Sequence, residues 1–207
     1  MEDINDFLAE INVAIPATII SYSASNMRAT VKPSIPKRLS NGETLPAPQI
    51  VNVPICFPVA DGGKAMITLP LKPNDGVLLV FSHRSIENWL SGSNDSPNDP
   101  RMFDLSDAFA MPSVNARSPS ADPENLCVMY GAGTIKIASS GDITINAPST
   151  RIIAPQNTIE GNLAVTGNIN CDGDVTATGE VSGKGKKLST HKHTGVQGGN
   201  GITGEPE

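Results

Sequence analysis

Aromatic residues are scarce in this chain, with five Phe, two Tyr and one Trp in 207 residues. Cysteine is scarcer. Cys56, Cys127 and Cys171 stand at spacings that suit neither a disulfide framework nor a zinc ribbon, so they read as free, buried thiols. No apolar run approaches the roughly 18 residues of a membrane-spanning helix. The amino terminus MEDINDFLAEI is acidic and lacks the basic and apolar regions of a secretory signal, so synthesis in a cytoplasm is expected. Positive charge is also in deficit: 15 Lys plus Arg face 21 Asp plus Glu, a net charge of −6. That excludes a general electrostatic attraction to nucleic acid.

What the chain does contain is unevenly distributed. Seven of the eight aromatics precede residue 119 and the last is Tyr130, whereas 14 of the 19 glycines lie beyond residue 130. Between the two regions, residues 112–125 (PSVNARSPSADPEN) are rich in Pro, Ser and Asn and read as a surface linker.

In the first region, Ile4, Phe7, Leu8 and Ile11 predict a short helix or arm over residues 1–12. Strand-like runs follow at 15–22, 27–33, 50–57, 64–71 and 76–83, and KPNDG at 72–76 has the chemistry of a tight turn joining the last two as a hairpin. SIENWL predicts a short helix capped by Ser85. Five short strands predict a small β-barrel of the oligonucleotide/oligosaccharide-binding (OB) kind over residues 13–111. Tyr22, Phe57, Phe81 and Trp89 sit in or beside apolar runs and are expected in its core rather than as stacking platforms. Residues 1–130 carry 9 basic and 14 acidic residues, so no nucleic-acid stripe is expected. His83 ends an apolar strand and reads as structural. Asp104 and Asp107 show no pairing that demands catalysis, and neither an enzyme nor a small-molecule substrate is expected.

The second region has different physics. From residue 131 onward there is no aromatic, and short segments alternate branched and polar residues: Ile135 and Ile137, Ile143 and Ile145, Leu163 and Val165, Ile169 and Cys171, Val175 and Ala177. Gly161, Gly167, Gly173 and Gly179 recur every six residues. One layer of such narrow strands buries too little to offset its ordering entropy and leaves open edges. Three chains wound about a common axis remove both problems, which predicts an intertwined triple-stranded β-helix needle, a homotrimer, with its shaft over residues 126–187. A single-chain parallel β-helix is the alternative. Cys171-Asp-Gly-Asp174 could hold Ca²⁺, but a solvated turn is the simpler reading.

His191 and His193 share one face of an extended strand, with Lys192 on the other. One chain offers two nitrogens. Three chains offer six, an octahedral all-imidazole site that fits tetrahedral Zn²⁺ poorly but that Fe²⁺ or Ni²⁺ accept; iron, the more available in a cell, is the expected ion, one per trimer. Alone, the pair reads more simply as two solvated histidines beside Lys184, Lys186, Lys187 and Lys192; its place near the end of a trimeric needle shifts the reading to a metal site. Such a closed site has no open position for catalysis. Residues 188–207 are accordingly the expected metal-binding tip.

The ending THKHTGVQGGNGITGEP resembles the tip of the central spike proteins of contractile-tailed bacteriophages. PNDGVLLVFSHRSIENWL followed by DPRMFDLSDAFAMP resembles the OB-fold collar of the short, lysozyme-free members of that group. The resemblance implies a homotrimer at the baseplate tip of the virion tail, its collar docked to the tail hub, whose needle penetrates the host outer membrane as the sheath contracts. It also implies an iron ion shared by His191 and His193 of three chains. Lys192 and Thr194 depart from the Thr and Gly of many relatives, an outward-facing change that leaves the metal ligands in place. A spike of a tailocin or a secretion apparatus shares these features, and a single-chain OB-fold binding protein is the more distant alternative.

Overall fold

The computed structural model describes residues 8, 11–39, 41–112, 120–192, 195 and 198–199. The helix expected over residues 1–12, half of the expected linker and His193 lie largely or wholly outside them. Among the described residues, no helix is long and apolar enough to cross a membrane.

Strand β1 (Ala14–Ser23) pairs antiparallel with β2 (Arg28–Pro33), after which β3 (Lys37–Arg38) and β4 (Thr44–Leu45) form a minimal ladder of their own. Strand β5 (Ile50–Pro54) pairs with β2, and β6 (Val59–Ala60) pairs with β7 (Ala65–Met66). Strand β8 (Gly76–Phe81) lies against the other side of β1, helix α1 spans Glu87–Leu90, and β9 (Ala108–Pro112) pairs with β8. The main sheet therefore runs β5-β2-β1-β8-β9. Its two edges meet: Ile55 bridges Ala110 in parallel, and the Cys56 N–H donates to the Ala110 carbonyl at 2.8 Å. This is the five-stranded, partly open Greek-key curl of an OB fold.

Alternation of period two builds its core. Ile19, Val31, Val53, Val77 and Leu79 are almost completely buried, and in β1, β2 and β8 from Val77 onward the residues between the buried ones are more exposed. Bulges sharpen the curl, one in β1 between Ile19 and Ser21 and one where β5 meets β2 at Asn52, whose φ is 59°.

Several sequence expectations are corrected here. The run 64–71 is not a barrel strand; only Ala65–Met66 pairs, with β6, and the fifth strand is β9. Pro70 cannot donate to a ladder. The 72–75 turn also docks elsewhere: its Asn74 N–H reaches the Ile19 carbonyl at 2.8 Å, and the Ile19 N–H reaches the Asp75 carbonyl at 2.9 Å. Strand β8 is thereby delivered beside β1 and does not fold back on 64–71. Trp89 is not in the core but 52% exposed, its ring edge-on to Phe109 at 5.4 Å. The three cysteines are free as expected, but Cys56 and Cys171 are exposed and Cys127 is half-buried, so they are not core thiols.

After the linker, β10 (Leu126–Tyr130), β11 (Gly133–Ile137) and β12 (Ile143–Asn146) form an antiparallel meander. The chain divides into two units, Met1–Asn146 and Ala147–Glu207. In the second, residues 147–181 form no strand within the chain and are exposed throughout. A short hairpin then pairs β13 (Ser182–Gly183) with β14 (Lys186–Lys187).

Candidate functional site

The β13–β14 hairpin leads into the segment that carries His191. Its two-residue loop, Lys184-Gly185, has positive φ at both positions, 49° and 73°, the geometry whose twist matches that of paired strands. The Leu188 N–H extends the ladder to the Val181 carbonyl at 2.8 Å. Glu180 then ties down the chain beyond β14, accepting the hydroxyl and, at 3.1 Å, the N–H of Ser189. Those donors, the hydroxyl first, hold its carboxyl below the usual glutamate range.

His191 follows this anchored segment. Its Nδ1 stands 2.8 Å from the Leu188 carbonyl, which can only accept, so Nδ1 carries the proton and the lone pair lies on Nε2. An open groove of about 380 Å³ passes between Val181, Leu188, Lys187 and His191. Among the described residues, no group of three or more His, Cys, Asp or Glu stands close enough to hold a metal, so no complete ligand set is gathered in one chain there. His193, the second expected ligand, lies outside the described residues.

The remaining expected residues are structural in their surroundings. His83 is exposed and leans on Phe103, with ring centroids 5.0 Å apart. Asp104 accepts the hydroxyl of Ser106 at 2.6 Å and its N–H at 2.8 Å, which hold its carboxyl low. Asp172 and Asp174 are exposed, and beside them the Cys171 thiol donates to the Gly173 carbonyl at 3.2 Å.

The cluster that sequence reasoning missed is ionic. Asp107, 1% exposed, accepts Nε and Nη2 of Arg101 at 2.7 and 3.0 Å and the Ile86 N–H at 3.0 Å. Arg101 also reaches Asp99 at 2.9 Å, and the Arg101 backbone N–H and guanidinium hold the Asp99 carboxyl low. The pair fastens the 99–107 loop to the start of α1, with no room for a substrate at the buried carboxylate. Its only sequence signal is an Asp set directly before the apolar run AFAMP.

Residues 15–113 match the family model of the phage protein Gp138 N-terminal domain, almost the span from β1 to β9. Residues 187–207 match the GpV Apex motif, which starts in β14 and includes His191 and His193. No characterised protein matches the chain significantly in sequence. The two matches lie at opposite ends of the chain and together cover more than half of it. With a phage collar module at one end and an apex module at the other, the chain belongs to the baseplate spike proteins of contractile-tailed bacteriophages, structural components of the virion tail and not enzymes.

Proposed function

We propose that the chain acts as a homotrimer on the tail axis and pierces the host outer membrane when the sheath contracts. Its collar, residues 13–111, docks to the tail hub. Residues 126–187 wind with two other copies into a β-helix shaft, and residues 188–207 form the tip, where His191 and His193 of three chains hold one iron ion.

One observation carries this reading. Ile152, Ile153, Leu163, Ile169 and Val175 are each 65% exposed or more, in a segment with no strand partner of its own among the described residues. A single chain leaves such backbone and such side chains to water, whereas three interwound chains satisfy both. The donor chemistry at the tip fits a metal, because the Leu188 carbonyl fixes the His191 tautomer with its lone pair on Nε2. Imidazole nitrogens suit iron, and an ion ligated only by protein supplies a cross-link among three chain ends.

The test is mass in solution together with metal content of the untagged protein. A trimer with about one iron per three chains, the ratio of six imidazoles to one octahedral ion, supports the proposal. A metal-free monomer overturns it. His191→Ala with His193→Ala should abolish metal binding, leave the trimer assembled and raise protease sensitivity of the last residues.

A further inference from the structure

The β10–β12 meander has two unlike faces. Its register aligns Leu126 with Ile137 and Ile143, and Val128 with Ile135 and Ile145, so six large aliphatic side chains form two rows on one face. All six are open to water: Leu126, Val128, Ile143 and Ile145 are 60–65% exposed, Ile135 43% and Ile137 37%. The opposite face carries Lys136 and Thr144, and its own chain fastens it. Lys136 pairs with Asp122 at 2.8 Å, and Asp122 also accepts the N–H groups of Glu124 and Asn125.

We infer that this face is the seed of trimer assembly: it packs against the same face of two further copies and sets their register before the shaft winds. The inference rests on the trimeric reading above and adds where assembly starts. At roughly 100 Å² of apolar surface per aliphatic side chain, each copy offers about 600 Å², as much as the largest patch on a typical monomer. Three copies together bury about 1,800 Å², within the range of a specific, stable interface.

Two further features place the seed here. The meander completes its backbone pairing within one chain, so each copy presents the face ready-made, whereas residues 147–180 have no strand pairing among the described residues. The shaft is also a poor judge of register. Its glycines at 161, 167, 173 and 179 repeat every six residues, so a slip of one repeat brings like onto like. The meander is not part of that repeat and has one alignment.

The experiment compares three full-length chains by sedimentation over a concentration series: wild type, Ile135→Thr with Ile145→Thr, and Leu163→Thr with Val165→Thr. Threonine keeps the strand preference while removing the apolar face. The meander variant should need at least tenfold higher concentration to trimerise, and the shaft variant should stay trimeric with a more protease-sensitive needle. A meander variant that trimerises like wild type overturns the seed but leaves the trimer standing, its face then open to another protein. A shaft variant that dissociates while the meander variant does not also overturns it. A monomeric wild type removes the trimeric reading and this inference together. Pulsed hydrogen exchange during refolding of the wild type adds a test that needs no variant. Protection at 126–146 before 152–181 supports the seed, and the reverse order overturns it.

Discussion

Arg101 grips Asp107 through two parallel hydrogen bonds, 2.7 Å from Nε and 3.0 Å from Nη2, at a carboxylate otherwise sealed from water. Removing one member of such a pair strands the other, so Asp107→Asn should cost the collar about 3–5 kcal/mol. Arg101→Lys should also destabilise it, because an ammonium cannot supply the planar fork. Urea unfolding followed through the single tryptophan, Trp89 beside Phe109, measures both. A loss below about 1 kcal/mol for Asp107→Asn, the level of an exposed ion pair, would contradict the structural role assigned here.

Leu79 is wholly buried at the centre of the barrel, between Ile15 of β1 and Ala110 of β9 in register. Leu79→Ala should cost about 2–5 kcal/mol through lost burial and the cavity it leaves. Val51, 68% exposed on β5, is the control. Val51→Ala should change stability by no more than about 0.5 kcal/mol.

Acid should loosen the tip through Glu180. Its carboxyl is depressed in the folded state by the Ser189 hydroxyl and N–H, so its support is complete above the ordinary glutamate value of about 4.3. That support is lost as pH falls through the lower folded value. The protection factor of the Ser189 amide should therefore drop in acid. Glu180→Gln should show reduced protection already at neutral pH, with no acid step.

The Lys184-Gly185 loop sets the entry to the tip. Lys184 holds a left-handed conformation that asparagine adopts more easily, so Lys184→Asn should stabilise the hairpin by about 0.5–1 kcal/mol. Gly185→Ala should weaken it by about 1 kcal/mol, since Gly185 sits at φ 73°. Tryptic cleavage at Lys186 and Lys187, measured at neutral pH, should slow in the first variant and quicken in the second.

Much of the collar was legible in its sequence because period-two alternation of Ile, Val and Leu with polar residues marks a half-buried strand wherever it occurs. That signal located four of the five barrel strands, while SIENWL marked helix α1 and the Pro, Asn and Gly of KPNDG marked the turn before β8. It misplaced the fifth strand. AFAMP at 108–112 is short and carries two alanines in its inward positions, so it lacks the branched residues that announce a strand, while 64–71 has them and lies outside the sheet. Trp89 misled for a related reason: an aromatic beside an apolar run is usually buried, but a helix of four residues has no second turn to cover it. At the tip, the His-x-His spacing was visible, whereas the contact of Leu188 with His191 depends on how the hairpin returns the chain.

The sequence by itself determined that an aromatic, proline-rich region precedes an aromatic-free, glycine-punctuated one, because both are matters of composition. It also determined the histidine pair and the repeat of six, since both are properties of spacing alone. Only the tertiary structure decided that the barrel closes through Ile55 and Ala110, that Asp107 is buried on Arg101, and that the meander turns six aliphatic side chains to water. Those features depend on which strands become neighbours. Neighbourhood between residues far apart in the chain is set by the balance of loop closure and packing over the whole domain, which no local pattern carries.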